Sequence, residues 1–123
     1  MPARILVVED EPAIRAVLQV NLSKNGYEVR CVASVQEALA VVGSFQPQVV
    51  LADGGLPDAS GIALAGFLRR TEGYRGIRII AMSGDPEQEE LFRAMPGEYD
   101  AYLQKPFTTR DLIEILERLL DRP

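Results

Sequence analysis

The sequence predicts an α/β fold: a doubly wound parallel sheet of five strands with helices on both faces. Short apolar runs rich in β-branched residues recur five times, and each is followed by a longer segment with apolar residues at helical spacing. Strands that alternate with helices form parallel sheets, because each crossover helix packs back onto the sheet. A chain of 123 residues, 47% hydrophobic and 25% charged, suffices for one domain, which we place at residues 1–123.

Turn residues and helix caps bound the strands in the first half. Pro12 suits the first turn of helix 1, and Asn25 with Gly26 ends that helix. Ser34 followed by Glu37 predicts a capping box at the start of helix 2. The strands are predicted at residues 4–9, 27–32, 48–53, 77–83 and 100–104.

The second half repeats the pattern. Asp85 and Pro86 predict the cap and first turn of helix 4, which ends near Pro96. Thr108 with Asp111 predicts the cap of helix 5. The residues predicted to face the core from helices 2, 4 and 5 are Val35, Ala38, Leu39, Val42, Leu91, Phe92, Met95, Leu112, Ile115, Leu116 and Leu119.

We expect the strand order 2-1-3-4-5 of flavodoxin-like folds, a three-layer sandwich with one sheet between two layers of helices. In this order the winding direction reverses between strands 1 and 3. Ligands of open α/β sheets bind beside such a reversal, in the crevice at the carboxyl ends of the strands. The residues at those strand ends are therefore candidates for function.

Polar side chains occupy the predicted carboxyl ends of four strands: Glu9 and Asp10 after strand 1, Asp53 after strand 3, Ser83 after strand 4 and Lys105 after strand 5. Each has an ordinary structural explanation, because acids stabilise helix starts, Ser caps helices and Asp forms turns. These explanations do not account for five such groups on one edge. Carboxylates crowded there repel one another, and Mg²⁺, which takes oxygen ligands, would relieve the repulsion.

The composition excludes several classes of function. The chain has no histidine, which excludes Ser-His-Asp and Cys-His catalysis and histidine-ligated zinc. Its one cysteine, Cys31, cannot form an intramolecular disulfide, which fits a reducing cytoplasm. The net charge of −5 argues against direct nucleic acid binding by this domain, and no apolar run is long enough to span a membrane.

Four segments together resemble the receiver domain of two-component response regulators: ILVVEDE, LADGGLPDASG, IIAMSG and YLQKPF, in that order between about residues 4 and 121. The resemblance implies a phosphoacceptor switch that is not an enzyme, beyond catalysing its own phosphorylation and dephosphorylation. It implies Asp53 as the phosphoacceptor, Glu9 and Asp10 as the acidic metal-binding pair, Ser83 and Lys105 as phosphoryl-binding groups, and Ser83 with Tyr102 as the switch pair.

The resemblance also implies a cofactor and partners. Mg²⁺, with Mn²⁺ as a possible substitute, would bind Asp10, Asp53, the backbone carbonyl of Gly55 and, through water, Glu9. A sensor histidine kinase or histidine phosphotransfer protein would supply the phosphoryl group, and a downstream effector, which the sequence does not identify, would respond to it. The residues implied to dock the donor are Pro12, Ala13, Ile14, Pro106 and Phe107, with a cis peptide bond before Pro106.

The implied switch begins at the phosphoryl group. Ser83 would donate a hydrogen bond to it, and Tyr102 would turn from solvent toward the core. This movement would change the face formed by helix 4, strand 5 and helix 5. Two features depart from the family pattern: Ser83 stands where Thr is more usual, and the segment MPGEYDAY replaces the usual Gly-Ala pair before strand 5.

Two other functions stay open from the sequence. A pseudo-receiver would bind partners without being phosphorylated, although such a module has no need of the acidic residues and Lys105. An aspartate-nucleophile phosphatase would need a second aspartate two residues after Asp53, where this chain has Gly55.

Overall fold

The computed structural model describes residues 2–121 and contains five strands and five α-helices in strict alternation. The strands are β1 (Arg4–Val8), β2 (Glu28–Val32), β3 (Val49–Asp53), β4 (Arg78–Ser83) and β5 (Ala101–Gln104). The helices are α1 (Pro12–Lys24), α2 (Val35–Phe45), α3 (Gly61–Arg70), α4 (Pro86–Ala94) and α5 (Thr109–Leu120), with a short 3₁₀ helix at Pro96–Glu98. All pairs are parallel and the order is β2-β1-β3-β4-β5, which confirms the predicted fold.

Two apolar cores lie on opposite faces of this sheet. Ile5 and Val7 of β1 face the core that α1 and α5 cover, whereas Leu6 and Val8 face the core that α2 and α3 cover. This alternation follows from the strand geometry, in which successive side chains point to opposite faces. All five residues of β3 are buried, because helices cover the central strand on both sides. Within residues 2–121, no helix is long and apolar enough to cross a membrane.

The predicted caps are present, one of them in part. Thr108 and Asp111 form a complete capping box at the start of α5. At α2 the Ser34 hydroxyl accepts a hydrogen bond from the Glu37 N–H at 3.1 Å. The Glu37 carboxylate completes only part of the capping box, because it accepts from the Ser34 hydroxyl and not from the Ser34 main-chain N–H. Asp85 caps α4 by accepting from the Glu87 N–H at 2.9 Å.

The prediction of the α4 inner face was wrong at two of three positions. Phe92 is buried, but Leu91 and Met95 are 46% and 41% exposed. The helix ends at Ala94, before Met95, so only one residue of this short element reaches the core. Leu39 of α2 is also exposed at 41%, because the buried stripe of that helix consists of Ala38, Val42 and Phe45.

The segment between α4 and β5 is held by ion pairs and by three packed rings. Glu98 is buried and pairs with Arg70, while Asp100 pairs with Arg69 and also accepts from the Ile79 N–H at 2.8 Å. We call the rings the aromatic cluster: Phe92, Tyr99 and Tyr102, whose centroids lie 5.5 to 6.5 Å apart.

Candidate functional site

Three carboxylates meet at the carboxyl edge of the sheet, where β1 and β3 are neighbours. Glu9 and Asp10 follow β1, Asp53 ends β3, and one oxygen from each lies within 4.8 Å of the others. Glu9 is fully buried and Asp53 is 8% exposed, whereas Asp10 faces solvent. The site therefore has a buried floor and an open, acidic mouth.

Lys105 supplies the one ammonium group of this site among the described residues. Its Nζ lies 3.1 Å from Asp53 Oδ1 and donates to both Glu9 oxygens, at 3.0 and 3.1 Å. The Lys105–Pro106 peptide bond is cis. We call Glu9, Asp10, Asp53 and Lys105 the acidic pocket.

Burial raises the pKa of Glu9 and of Asp53, and the neighbouring carboxylates raise both further, while Lys105 opposes the rise. Burial lowers the pKa of Lys105, but Glu9 and Asp53 outweigh it, so the net direction is upward. One ammonium does not balance three carboxylates. The donors are hard oxygen atoms only, which is the ligand set that Mg²⁺ prefers.

Gly61 positions Asp53, and the sequence analysis did not single it out. A Cβ at position 61 would lie 2.2 Å from the Asp53 carbonyl oxygen, so only glycine allows α3 to begin there. Hydrogen bonds fix the adjoining residue: the Gly54 N–H donates to Met82 O at 2.8 Å, and the Gly61 N–H donates to Gly54 O at 3.1 Å. The sequence did contain a signal for this role, because a glycine is unusual at the start of a helix and Gly61 follows the segment DAS at residues 58–60.

Two further residues support the loops of the site and were also missed. Asp58 accepts from the N–H groups of Val35 and Gln36 at 3.0 and 2.8 Å, which ties the β3–α3 loop to the start of α2. These N–H groups, Gln36 first, lower the pKa of Asp58. Arg15 Nη1 donates to the Glu9 carbonyl oxygen at 2.8 Å, which holds the loop between β1 and α1 against α1.

Ser83 adjoins the acidic pocket, because its carbonyl oxygen accepts from the Lys105 N–H at 2.8 Å, and Tyr102 lies next to Ser83. Ser83 is 2% exposed, and its hydroxyl donates to Asp85 O at 3.1 Å and accepts from the Asp85 N–H at 3.2 Å. The Tyr102 hydroxyl is buried next to Ser83 and makes no hydrogen bond of normal geometry within residues 2–121. Tyr102 was expected to face solvent before phosphorylation, but its hydroxyl is already buried.

Four of the five predicted donor-docking residues line one groove. Its walls come from the start of α1 and from the segment after β5, with Lys105 at the end nearest the acidic pocket. Pro12 is exposed at the start of α1 and does not line this groove. The lining residues include Ala13, Ile14, Val17, Pro106 and Phe107.

Gly55 lies at an exposed position in the β3–α3 loop, two residues after Asp53, and forms an isolated antiparallel bridge with Ser60. The bridge bends the chain back toward α3 immediately after Asp53. A role of its carbonyl oxygen as a metal ligand stays a prediction.

The chain is similar to response regulators in sequence. Residues 5–117 match the family described as the response regulator receiver domain. The phosphate regulon transcriptional regulatory protein PhoB of Pseudomonas aeruginosa is 36% identical over 118 residues, which are 96% of this chain and 52% of that protein. The chain spans about half the length of the curated relatives it matches.

The chain is also similar to solved structures of receiver domains. The CheY-like response regulator receiver domain protein of Methanospirillum hungatei JF-1 matches with a TM-score of 0.87 at 31% identity, covering 98% of this chain and 95% of that one. The receiver domain of a sensor histidine kinase from Pseudomonas aeruginosa PAO1, solved with a magnesium ion coordinated in its active site cleft, matches with a TM-score of 0.88 at 29% identity, covering 99% and 100% of the two chains.

Proposed function

This chain belongs to the response regulator receiver domain family, and from that premise we propose that Asp53 accepts a phosphoryl group from a histidine kinase or histidine phosphotransfer protein. The observation that carries the proposal is the Lys105 ammonium, 3.1 Å from a buried carboxylate that shares its pocket with two further acids. A merely structural ion pair needs one acid. Here the acids outnumber the base at the edge of the sheet where ligands of this fold bind.

We propose that Mg²⁺ binds in the acidic pocket, with Mn²⁺ as a substitute. Asp10 and Asp53 are the direct side-chain ligands in this proposal, and Gly55 contributes its carbonyl oxygen. Glu9 acts through water, because both of its oxygens already accept hydrogen bonds from Lys105. When bound, the ion supplies positive charge that offsets the carboxylates and the incoming phosphoryl group.

The transfer step uses groups that the fold holds in place. An Asp53 carboxylate oxygen attacks phosphorus, the bond from phosphorus to the donor's imidazole nitrogen breaks, and the electron pair leaves with the imidazole. Lys105 donates to the phosphoryl oxygens, and Glu9 keeps its ammonium near them. The groove lined by Ala13, Ile14, Pro106 and Phe107 receives the donor in this proposal.

The proposed switch links the acidic pocket to the α4–β5–α5 face. Ser83 must exchange its hydrogen bonds with Asp85 for one to the phosphoryl group, which moves the start of α4. Tyr102 sits behind Ser83 in the aromatic cluster, so its packing responds to that movement. The phosphoryl group can shift this equilibrium only by its differential interaction with the two arrangements.

The test is incubation of the protein with a small acyl phosphate and Mg²⁺, followed by intact mass spectrometry. We expect one phosphoryl adduct, absent without metal and absent in Asp53→Asn. Asp58→Asn is the matched control, because the Asp58 carboxylate belongs to the same loop but faces the start of α2. We expect this variant to form the adduct.

The alternatives predict other results in the same experiment. Failure to form an adduct, together with failure to bind Mg²⁺, would favour a pseudo-receiver that acts only by binding partners. Turnover of a phosphomonoester would favour a phosphatase instead.

A further inference from the structure

The β3–α3 loop carries no side chain at the two positions that follow the proposed phosphoacceptor, Asp53. Gly54 and Gly55 follow Asp53 directly and present no side chain to a group bound there. A phosphorylated Asp53 must nevertheless meet a water molecule whenever it hydrolyses. The structure shows which side chain stands over the two glycines.

Gln88, in the first turn of α4, covers this part of the loop. A Cβ built on Gly54 would lie 3.1 Å from Gln88 Cβ and 3.3 Å from its Oε1. A Cβ built on Gly55 would lie 3.9 Å from Gln88 Nε2. Phe92 Cε2 comes closer still to the Gly54 position, at 2.8 Å, so the space beside Gly54 is shared with that ring, and the carboxamide of Gln88 is the group that lies next to Gly55.

The carboxamide of Gln88 has hydrogen-bonding capacity to spare. Gln88 is half-buried, and within residues 2–121 the side-chain hydrogen bonds of α4 and its cap involve Asp85, Glu89 and Arg93. An amide offers one acceptor oxygen and two donor hydrogens. It can accept from a water molecule and donate to an anionic oxygen at once.

We propose that Gln88 is a water-positioning residue for hydrolysis of the phosphoryl group on Asp53, an inference that rests on the proposed function. The water oxygen attacks phosphorus, the bond from phosphorus to the Asp53 oxygen breaks, and the electron pair returns to the carboxylate. The proton of water passes to the released phosphate or to solvent. Gln88 Oε1 accepts a hydrogen bond that orients the water and does not take the proton, as with the glutamine that orients water in some nucleotide hydrolases.

The test compares the lifetime of the adduct in the wild type, Gln88→Leu and Gln88→Ala after the phosphodonor is removed. Gln88→Leu keeps most of the bulk and loses the hydrogen bonds, whereas Gln88→Ala loses both. We expect both variants to slow hydrolysis about tenfold, which corresponds to about 1.4 kcal/mol. Gln36→Leu, at an exposed position in the first turn of α2, is the matched control and keeps the wild-type lifetime.

Each other outcome has a definite meaning. Unchanged lifetimes in both variants would show that Gln88 only fills space. Faster hydrolysis in Gln88→Ala with an unchanged rate in Gln88→Leu would show that it shields the phosphoryl group, which also overturns the proposal. Since lifetime is measured per phosphorylated molecule, these results leave the proposed function intact, whereas a wild type that forms no adduct overturns both. Thermal unfolding of each variant reports whether it folds.

Discussion

The acidic pocket and the aromatic cluster both adjoin the β3–α3 loop, through Asp53 and Phe92 respectively, and they are held together by different interactions. In the acidic pocket, buried carboxylates repel one another and one ammonium restrains them. In the aromatic cluster, three uncharged rings pack against one another, Phe92 and Tyr99 edge to face and the other two pairs tilted. The first arrangement is sensitive to protons and cations, and the second is sensitive to shape. The proposed switch needs both regions, because charge introduced in the acidic pocket must be converted into a change of packing in the aromatic cluster.

The largest effect should come from the aromatic cluster. Phe92→Ala removes a ring that is 1% exposed and contacts Gly54, and leaves a cavity beside Tyr99 and Tyr102. We expect a loss of about 3–5 kcal/mol in the free energy of unfolding, measured by denaturant titration. Phe67→Ala is the control, because Phe67 is 47% exposed, and it should cost far less. Equal losses in the two variants would contradict the claim that the buried Phe92 ring stabilises the fold more than the exposed Phe67 ring.

The acidic pocket should respond to loss of its cation in a pH-dependent way. Raised pKa values mean that the folded protein binds protons to Glu9 and Asp53 more tightly than the unfolded chain does. The contribution of these two groups to stability therefore falls as pH rises above about 4, where they ionise in the unfolded chain. Lys105→Met steepens this fall, so we expect a loss relative to the wild type of about 2 kcal/mol at pH 7 and little at pH 4.

Urea titrations at both pH values would measure this loss. Lys24→Met removes the other lysine of the chain, from the last turn of α1, and should show no such pH dependence. A loss in Lys105→Met that stays constant between the two pH values would mean that the lysine acts through packing of its stem.

A smaller effect on the free energy of unfolding, an increase instead of a loss, should come from the Tyr102 hydroxyl. The Tyr102 hydroxyl is buried without a partner in the described residues, and an unsatisfied buried hydroxyl is unfavourable. We expect Tyr102→Phe to raise the free energy of unfolding by about 1 kcal/mol in the unphosphorylated protein. Tyr99→Phe serves as the comparison in the same denaturant experiment. A loss of stability in Tyr102→Phe would show that the hydroxyl is hydrogen-bonded after all.

The smallest effect concerns a carboxylate of the same loop outside the acidic pocket. The pKa of Asp58 is lowered by the main-chain N–H groups of Gln36 and Val35, the reverse of the direction at Asp53. Its contribution to stability is therefore present above pH 3.8 and is lost as pH falls through the lowered value. Asp58→Asn should lower the melting temperature at pH 7 and have no effect at strongly acidic pH. A difference that persists at strongly acidic pH would contradict this assignment.

Much of the fold could be predicted because its signals are local. Each strand is a short apolar run, and the caps at Ser34, Asp85 and Thr108 mark helix starts that the structure reproduces. The strand order also follows, since right-handed crossovers leave few arrangements for five parallel strands. The convergence of Glu9, Asp10, Asp53 and Lys105 is a direct consequence of that order, so topology was enough to find the site.

The rest depended on distances that sequence patterns do not encode. Gly61 and Gln88 matter because of what approaches them in space, and neither lies at a strand end. Leu91 and Met95 follow the apolar spacing of a helix, but α4 is too short and too weakly covered to bury them. Tyr102 could be placed on β5, yet its ring packs against Phe92 of α4 and against Tyr99 of the MPGEYDAY segment, contacts that no sequence pattern encodes.

The close approach of α3 to the Asp53 carbonyl limits how this end of the sheet can answer a new ligand. With no room for even a methyl group at position 61, the main chain of Asp53 rests against a helix and cannot recede. Any bulk added to its side chain must then be accommodated by the neighbouring loops after β4 and β5. The Asp53 main chain thus stays in place, and the displacement falls on residues that other strands supply, such as Ser83 and Lys105.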